Sequence, residues 1–282
     1  MRLISWNIRA GGGTRVDAIL AQLLRWDADV IGLCEFRATP PSLRLAAALH
    51  EQGFVHQLTT ADPAAPGRNA LLLASKYPLQ LLRLKLAPLE PGRWLVASVG
   101  ADETFLLGLM HLPNMVTGRK VTFMESVAAV TTRWRRGPAV FLGDTNCGWP
   151  GLDDESSVFT AHTAAWLDGL HARGWRDAFR HFYPEERVFT WYSPNAGNGF
   201  RLDQAFVNRA MIHRLQAARY EWGRPLDAEA RRDALSDHAA LILDFETGKP
   251  RTPLKGSSPT LSARIHLQRE KRSSPEGPKT LG

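Results

Sequence analysis

The sequence has little cysteine and no long apolar run, and both absences narrow what the chain can be. Its two cysteines, Cys34 and Cys147, form no disulfide framework and have no zinc-ligand spacing. We expect them to be reduced and to act as small apolar fillers. No apolar stretch approaches the roughly 18–20 residues that a membrane-spanning helix needs. The apolar run at the N-terminus is too short for a signal peptide. The default prediction is a cytoplasmic protein without a membrane span.

Excess positive charge is also scarce once the C-terminal segment is set aside. The 282 residues carry a formal charge of +7, but from Lys249 onward there are eight Lys/Arg against two Asp/Glu. The preceding 248 residues hold 27 basic and 26 acidic side chains, so any preference for a polyanion must come from a local patch. We predict a catalytic domain at residues 1–247. The basic, Pro/Ser-rich segment 248–282 is predicted to be a disordered tail.

Short apolar strands alternate unevenly with amphipathic helices in the predicted domain. The spacing of apolar residues predicts helices at 16–26, 119–137 and 164–173, and strands at 3–9, 30–36, 70–79, 94–99, 104–111, 139–143, 188–192, 202–207 and 238–245. A short Gly-Ala-Asp-Glu turn between 94–99 and 104–111 predicts a hairpin. Hairpins mixed with strand–helix–strand units favour an α/β (α+β) protein with helix-covered sheets over a doubly wound parallel sheet.

Several predicted strands end in a polar side chain of a type that binds metal or phosphate. Each one has an ordinary structural explanation, because Asp and Asn favour turns and a buried His or Asn can bond its neighbours. The set is harder to explain, since buried charges are costly unless they are paired or bound to metal. Its members are Asn7, Glu35, His111, Asp144, Asn146, Asp203, Asp237 and His238.

Oxygen donors dominate this set, and no Cys/His cluster accompanies them. A hard cation such as Mg²⁺ or Mn²⁺ is therefore the fitting metal, and such ions bind through one or two carboxylates plus substrate phosphate. The pattern indicates metal-assisted attack of water on a phosphate ester. If the strand at 139–143 continues, Asp144 and Asn146 point the same way and face one phosphate, while Thr145 turns away.

Seven short motifs follow one another over roughly residues 1–246: WNIR, CEFR, GRNALLLASKYP, MHLPN, FLGDTN, RLDQAFVN and SDHAALIL. The ordered set resembles the endonuclease/exonuclease/phosphatase superfamily of Mg²⁺-dependent phosphoesterases. The resemblance implies a four-layer α/β sandwich of two packed mixed β-sheets flanked by helices. It places the active site at the open end of the sheets and implies Mg²⁺ as the cofactor, with Mn²⁺ as an alternative.

The resemblance also implies a metal-binding group. Glu35 matches the metal-binding glutamate of the family and is the expected main ligand. Asn7 is expected to help hold the metal or the substrate phosphate. Asp237 lies where a second ligand or a water-mediated contact is expected.

The same resemblance implies a set of catalytic residues. Asp144 matches the aspartate that orients or deprotonates the attacking water, and Asn146 its neighbour on the phosphate oxygens. His238 is expected to contact the scissile phosphate or move protons, with Asp203 orienting its ring. Which of Asp144 and His238 is the base stays open. His111 is expected to protonate the leaving oxygen or steady the phosphate.

The segment 170–208 resembles exodeoxyribonuclease III-type and abasic-site endonucleases more closely. It shares their Gly-x-x-Asp-Ala-Phe-Arg run, a Thr-Trp pair, a loop and then Arg-Leu-Asp. Trp191 is expected to stack on or wedge beside a nucleotide, with core packing as the alternative. Arg201 is expected either to reach phosphate or to pair with an acidic neighbour. The chain departs from this group at His111, which replaces a tyrosine, and in the sequences that follow Asn7 and surround Glu35.

We therefore expect a metal-dependent phosphodiester hydrolase, a DNA nuclease of the exonuclease III or abasic-site endonuclease type, acting as a monomer. The alternative is a phosphodiesterase or phosphatase for a small-molecule, nucleotide or lipid phosphate ester. A catalytically inactive binding module is disfavoured, because no role in the expected set is missing. The basic cluster Arg133–Arg136 is either a backbone-binding patch or a solvated helix end. The tail either adds salt-dependent DNA affinity or solubilises the protein.

Overall fold

The computed structural model describes residues 1–114, 118–224 and 234–246. These residues belong to one unit, Met1–Gly248, and the second unit, Lys249–Gly282, lies outside them. The predicted tail at 248–282 therefore falls outside the described residues. No helix in the described ranges combines the length and the apolar character that crossing a bilayer requires.

The predicted helices and strands are present with shifted ends, and the chain also forms helices and short strands that the apolar periodicity did not predict. The helices are α1 (Val16–Arg25), α2 (Pro40–Glu51), α3 (Lys120–Thr132), α4 (Ala161–Ala172) and α5 (Ala178–Phe182). The strands are β1 (Arg2–Asn7), β2 (Val30–Phe36), β3 (His56–Thr59), β4 (Ala70–Ser75), β5 (Leu79–Leu81), β6 (Trp94–Val99), β7 (Phe105–His111), β8 (Ala139–Asp144), β9 (Trp175–Asp177), β10 (Trp191–Tyr192), β11 (Gly199–Phe200), β12 (Asp203–Asn208), β13 (Leu215–Glu221) and β14 (Ala240–Phe245).

Two six-stranded mixed sheets form the centre of the unit. The first has the order β13-β14-β1-β2-β4-β3 and the second the order β5-β6-β7-β8-β12-β9. The pairs β1–β2 and β7–β8 are parallel, and the other pairs in both sheets are antiparallel. Strands β10 and β11 form a separate two-stranded hairpin.

Three apolar clusters show that the elements stack in four layers. One cluster joins inward-facing residues of both sheets, such as Leu3 and Leu71 with Leu107 and Leu142. A second fills the space between the first sheet and helices α1 and α2, and a third does the same for the second sheet with α3 and α4. Burial on both faces explains why these strands read as nearly continuous apolar runs. The predicted four-layer sandwich is confirmed.

The differences between the predicted and observed elements have local causes. Helix α2 was not predicted, although Pro40 and Pro41 at its first positions are a recognised helix start because their fixed φ suits the first turn. Helix α3 ends at Thr132, five residues before the predicted end at Gly137. The predicted strand 188–192 shortens to β10, because its ladder consists of two residue pairs with β11.

The topology brings the polar strand ends to one edge of the sandwich. The parallel strands β7 and β8 end side by side, with His111 opposite Asp144. Strand β12 runs the other way and begins there, with Asp203 opposite Asp144. In the first sheet, β1 ends at Asn7 beside the end of β2. Strand β14 is antiparallel to β1 and starts at this edge, two residues after His238.

Candidate active site

A cavity of about 530 Å³ opens at this edge of the two sheets. Seven residues predicted to form the site line it: Glu35, His111, Asp144, Asn146, Trp191, Asp237 and His238. Asn7 and Asp203 are buried and bond to lining residues from behind. The remaining lining residues are Asn69, Arg93, Asn114, Val158, Phe159, Phe200 and Leu202. The cavity is thus acidic at its base, with an apolar wall on one side.

Asp144 lies at the centre of the polar network. Its Oδ2 accepts a hydrogen bond of 3.0 Å from Nδ2 of Asn7, which reaches across from the other sheet. The same oxygen lies 3.5 Å from Nε2 of His111 and 4.0 Å from Nε2 of His238. Burial raises the pKa of the Asp144 carboxyl, although the two histidines and the Asn7 amide oppose that shift.

The chain turns after Asp144 and does not continue as a strand. Asn146 has φ of 48°, and its backbone N–H donates to Oδ1 of Asp144 at 3.1 Å. Its Nδ2 donates to the carbonyl oxygen of Leu112 at 2.9 Å. We expected the side chains of Asp144 and Asn146 to face the same way because the strand would continue. The strand does not continue, so that reason is wrong. A local Asp-centred turn brings Asn146 into the same cavity, so a turn and a polar site coexist here.

A buried pair holds the second catalytic candidate, His238. Its Nδ1 lies 2.9 Å from Oδ2 of Asp203, and both side chains are almost fully buried. Burial alone would lower the pKa of the imidazole, but the charge and hydrogen bond of Asp203, with further contributions from Asp144 and Asp237, raise it to about 9. The ring is therefore cationic at neutral pH, with Nε2 directed at the cavity side of the pair.

Several neighbours fix the position of this pair. The Ser236 hydroxyl donates to the carbonyl oxygen of Asn7 at 2.6 Å and ties the loop before β14 to the end of β1. The Trp6 indole N–H donates to the carbonyl oxygen of His238 at 2.9 Å. The hydroxyl oxygen of Thr190 accepts the backbone N–H of Asp203 at 3.2 Å. Sequence reasoning gave none of these neighbours a positioning role.

His111 has the opposite electrostatic character to His238. Burial lowers the pKa of its imidazole to about 4, with help from the positive charges of Arg93 and His238 and against the attraction of Asp144. At neutral pH the ring is uncharged. It can donate a hydrogen bond to a phosphate oxygen, but it does not hold the second ring proton that it would need to protonate a leaving oxygen. This favours the predicted role of steadying the phosphate over the predicted role of protonating the leaving oxygen.

Glu35 occupies a strained position at the end of β2. Its φ is 58°, where a non-glycine residue costs about 1–3 kcal/mol, and the pairing of β2 with β4 shifts register beside it. The backbone N–H of Ala10 donates to Oε2 of Glu35 at 2.7 Å, and that of Gly11 donates to its carbonyl oxygen at 2.8 Å. Residues 9–13 all have positive φ. This left-handed loop aims the carboxylate into the cavity.

The donor set fits a hard divalent cation. Glu35 and Asp237 bring two carboxylates to the same cavity, and two are enough for Mg²⁺, which keeps water and substrate phosphate as its other ligands. In the described part of the chain no three His, Cys, Asp or Glu side chains form a ready cage for a metal. Asn7 is less available than predicted, because its Oδ1 accepts the N–H of Arg9 at 3.0 Å and its Nδ2 bonds Asp144.

The apolar wall of the cavity is formed around Trp191. Its ring lies 5.7 Å from that of Phe200 and 6.4 Å from that of His238, and its indole N–H donates to Oδ2 of Asp237 at 3.3 Å. A single bridge pairs the backbone of Trp191 with that of His238. The tryptophan is partly exposed and lines the cavity, which leaves part of the ring open to a substrate.

Arg201 is placed differently from its predicted substrate-binding role. It is fully buried, is absent from the cavity lining, and bonds both oxygens of Asp153 at 2.7 and 3.0 Å and Asp177 at 2.8 Å. The pairing alternative is therefore the one that the geometry supports. Its Nη1 also donates to the hydroxyl of Tyr220, which donates to the carbonyl oxygen of Asp203. Arg201 thus supports the site from within the core.

Arg93 is a lining residue that sequence reasoning missed. Its guanidinium donates to the carbonyl oxygen of His111 at 3.2 Å, and it lines the cavity. The predicted hairpin of strands 94–99 and 104–111 already contained the information that places Arg93 beside His111. Because Trp94 pairs with Met110, the residue before Trp94 must lie beside His111. A cation at that position suits an anionic substrate.

The chain matches a known protein family and known folds. The family described as Endonuclease/Exonuclease/phosphatase matches residues 4–238. One similar solved structure is a 3′ phosphatase, NExo, from Neisseria bound to product DNA hairpin, with 20% sequence identity and a TM-score of 0.69. Another is an AP endonuclease from Archaeoglobus fulgidus, with 19% sequence identity and a TM-score of 0.72. The 3′-5′ exonuclease NExo from Neisseria meningitidis is similar at 21% and 0.67. Each comparison covers 88% of this chain and 100% of the other. No curated protein matches the sequence.

Proposed function

The chain belongs to the endonuclease/exonuclease/phosphatase family, and from that premise we propose that it is a metal-dependent phosphodiester hydrolase that cleaves DNA. Membership makes it a phosphoesterase. The use of a metal, the choice of DNA and the roles of single residues are our proposals. The observation that carries them is the network in which Asp144 contacts Asn7, His111 and His238 at one edge of both sheets.

We assign the removal of the proton from the attacking water to Asp144. His238 has a pKa of about 9, so at neutral pH it already holds its proton and cannot accept another. A carboxylate has about four lone-pair sites, and two of those on Asp144 accept hydrogen bonds from Asn7 and Asn146. The others remain for a water. The imidazolium of His238 then offsets negative charge on the phosphate and can donate its Nε2 proton to the leaving oxygen as the P–O bond to that oxygen breaks.

The phosphate is held by neutral and cationic donors around Asp144. His111 donates from an uncharged ring, and Arg93 adds a fixed positive charge beside it. One N–H of the Asn146 amide bonds Leu112, which leaves the second for a phosphate oxygen. Donors already held in place by the protein favour the pentacovalent transition state, because they need no reorganisation as its charge develops.

Glu35 and Asp237 would hold the divalent cation, with Asn7 nearby. When bound, such an ion supplies Lewis-acid stabilisation of negative charge on the phosphoryl oxygens. The strained backbone at Glu35 supports this role, because strain of this kind persists at sites where function requires it.

DNA is the substrate class that the apolar wall supports. Trp191, Phe200 and Leu202 present apolar surface beside the polar network, and aromatic rings stack on bases without sequence preference. The similar solved structures include a 3′ phosphatase bound to a DNA hairpin and an AP endonuclease, which agrees with a nucleic-acid substrate. A small phosphate ester is the second candidate, because residues 1–248 are nearly neutral and about 530 Å³ is an ordinary volume for a small-ligand site.

The test compares two substrates with and without the metal. We expect Mg²⁺ to support, and EDTA to abolish, cleavage of a duplex that carries an abasic-site analogue or a recessed 3′ end. Bis-p-nitrophenyl phosphate is assayed beside it, with Asp144→Asn as the inactive control. Turnover of the small ester with none on any DNA would exclude the nuclease proposal and leave the small-ester candidate. Full activity of the Asp144 variant would refute the site.

A further inference from the structure

A second charged surface lies away from the cavity, on the second sheet. We call it the basic end surface and define it by six arginines: Arg83, Arg133, Arg135, Arg136, Arg173 and Arg209. They border two adjoining hollows of about 490 and 300 Å³ that share Trp134 and Arg135. No Asp or Glu lines either hollow within the described residues.

Strand direction places five of these six arginines at the far end of the sheet from the site; the sixth, Arg83, follows β5 on the edge of the sheet. The residues 133–136 lead into β8, which begins at Ala139 and ends at Asp144 in the cavity. Five residue steps of about 3.3 Å separate those two ends by about 17 Å. Arg209 follows β12, whose opposite end begins with Asp203. A substrate segment in the cavity therefore does not cover this surface.

Ordinary structural roles do not account for so much positive charge. A cation near a helix C-terminus offsets the helix dipole, and Arg133 and Arg173 directly follow α3 and α4. The other four arginines do not directly follow a helix. None of the six has a carboxylate partner among the described residues, whereas Arg2, Arg201 and Arg214 do. The side-chain bonds of Arg135 and Arg173 go to backbone carbonyls of their own segments.

We propose that the basic end surface binds the phosphate backbone of duplex DNA, as a second contact remote from the segment in the cavity. Residues 1–248 carry 27 basic and 26 acidic side chains, so six unpaired arginines on one face make a local field that the whole chain lacks. Planar guanidinium groups match phosphate oxygens in pairs. The choice of DNA as the occupant rests on the proposed function, but the binding itself is measured without cleavage.

The experiment removes two charges from this surface and two from elsewhere. The test variant is Arg135→Ala/Arg136→Ala, and the matched control is Arg25→Ala/Arg44→Ala, two exposed arginines on the helices that cover the other sheet. Binding of the full chain to an intact duplex is measured in EDTA across a salt series. The tail is identical in every variant and cancels in the comparison. Turnover of bis-p-nitrophenyl phosphate with Mg²⁺ reports folding and the site.

The two variants are expected to separate clearly. The test variant should bind duplex roughly tenfold more weakly at moderate salt and lower the salt slope by about 2, one for each lost phosphate contact. The control should bind like the wild type, and both should keep wild-type turnover of the small ester. Equal binding by all three proteins, or equal weakening in both variants, would overturn the proposal. The same variants are also tested for binding to phosphatidylserine vesicles. If the test variant loses vesicle binding but keeps wild-type DNA binding, the surface binds a membrane and the proposal is overturned.

Failure here and failure of the proposed function have different signatures. A wild-type protein that binds duplex through these arginines but cleaves no DNA would refute the nuclease and keep this surface. If the wild type cleaves DNA but the test variant binds duplex as well as the wild type does, the nuclease proposal stands and the proposal for this surface is refuted.

Discussion

Replacing Asp203 by Asn is the sharpest test of the electrostatic design of the site. Asn keeps the shape of the side chain and removes the charge that holds the His238 imidazole at 2.9 Å. Without that charge, burial, already the largest single influence on the pKa of His238, is opposed mainly by the smaller contributions of Asp144 and Asp237. We expect the value to fall from about 9 to below the ordinary 6.5, so that the ring is neutral at pH 7.5. It would also lose the partner that fixes its orientation.

The free energy involved follows from the pKa of the wild-type protein. A rise from 6.5 to about 9 favours the protonated folded state by about 3 kcal/mol. The side chain is only 7% exposed, so solvent screening removes little of this. Because the folded pKa lies above the unfolded one, His238 contributes this stability fully below pH 6.5. The contribution is lost as the pH rises through about 9. In Asp203→Asn this loss of stability between about pH 6.5 and 9 should disappear, because the folded pKa no longer lies above the unfolded one.

Two assays check the reasoning. Histidine NMR titration gives the pKa of His238 directly, and urea unfolding at pH 6, 7.5 and 9.5 without metal gives the difference in stability between the variant and the wild type. The rate constant kcat is expected to fall by about 10²–10⁴-fold. Asp168→Asn is the matched control, because Asp168 bonds the indole of Trp149 outside the cavity. A His238 pKa that stays near 9 in Asp203→Asn would refute the account.

Three further substitutions test other parts of the structure. A Cβ at Gly143, where φ is 140°, would overlap the carbonyl oxygen of Met110. Gly143→Ala should therefore lose at least about 2 kcal/mol of unfolding free energy. The control Gly67→Ala should lose little, because a Cβ there meets nothing within 4 Å. Arg93→Ala should lower kcat/KM by about tenfold through weaker phosphate binding, and an unchanged value would remove it from the site. Arg201→Ala should destabilise the fold by about 3–5 kcal/mol in urea unfolding, because it strands buried carboxylates, and a stable but inactive variant would contradict its assignment to the core.

The order of the polar residues along the chain was readable without the fold. Asn7, Glu35, His111 and Asp144 each follow an apolar run, and that pattern alone predicts strands that end in polar groups at the edge of a sheet. The hairpin between 94–99 and 104–111 was equally clear, because its turn is short and its strands are apolar. These features are local, and local periodicity and turn chemistry determine them.

Only the tertiary structure decided how these groups act on one another. No local pattern reveals that Asn7 reaches across to Asp144, that Glu35 adopts a left-handed backbone, or that Arg201 points into the core. His111 and His238 are the same residue type, yet the first has a pKa of about 4 and the second about 9. The difference comes from which charges each buried ring faces. Such charges belong to distant segments, so the sequence names the groups and the packing of the two sheets sets their chemistry.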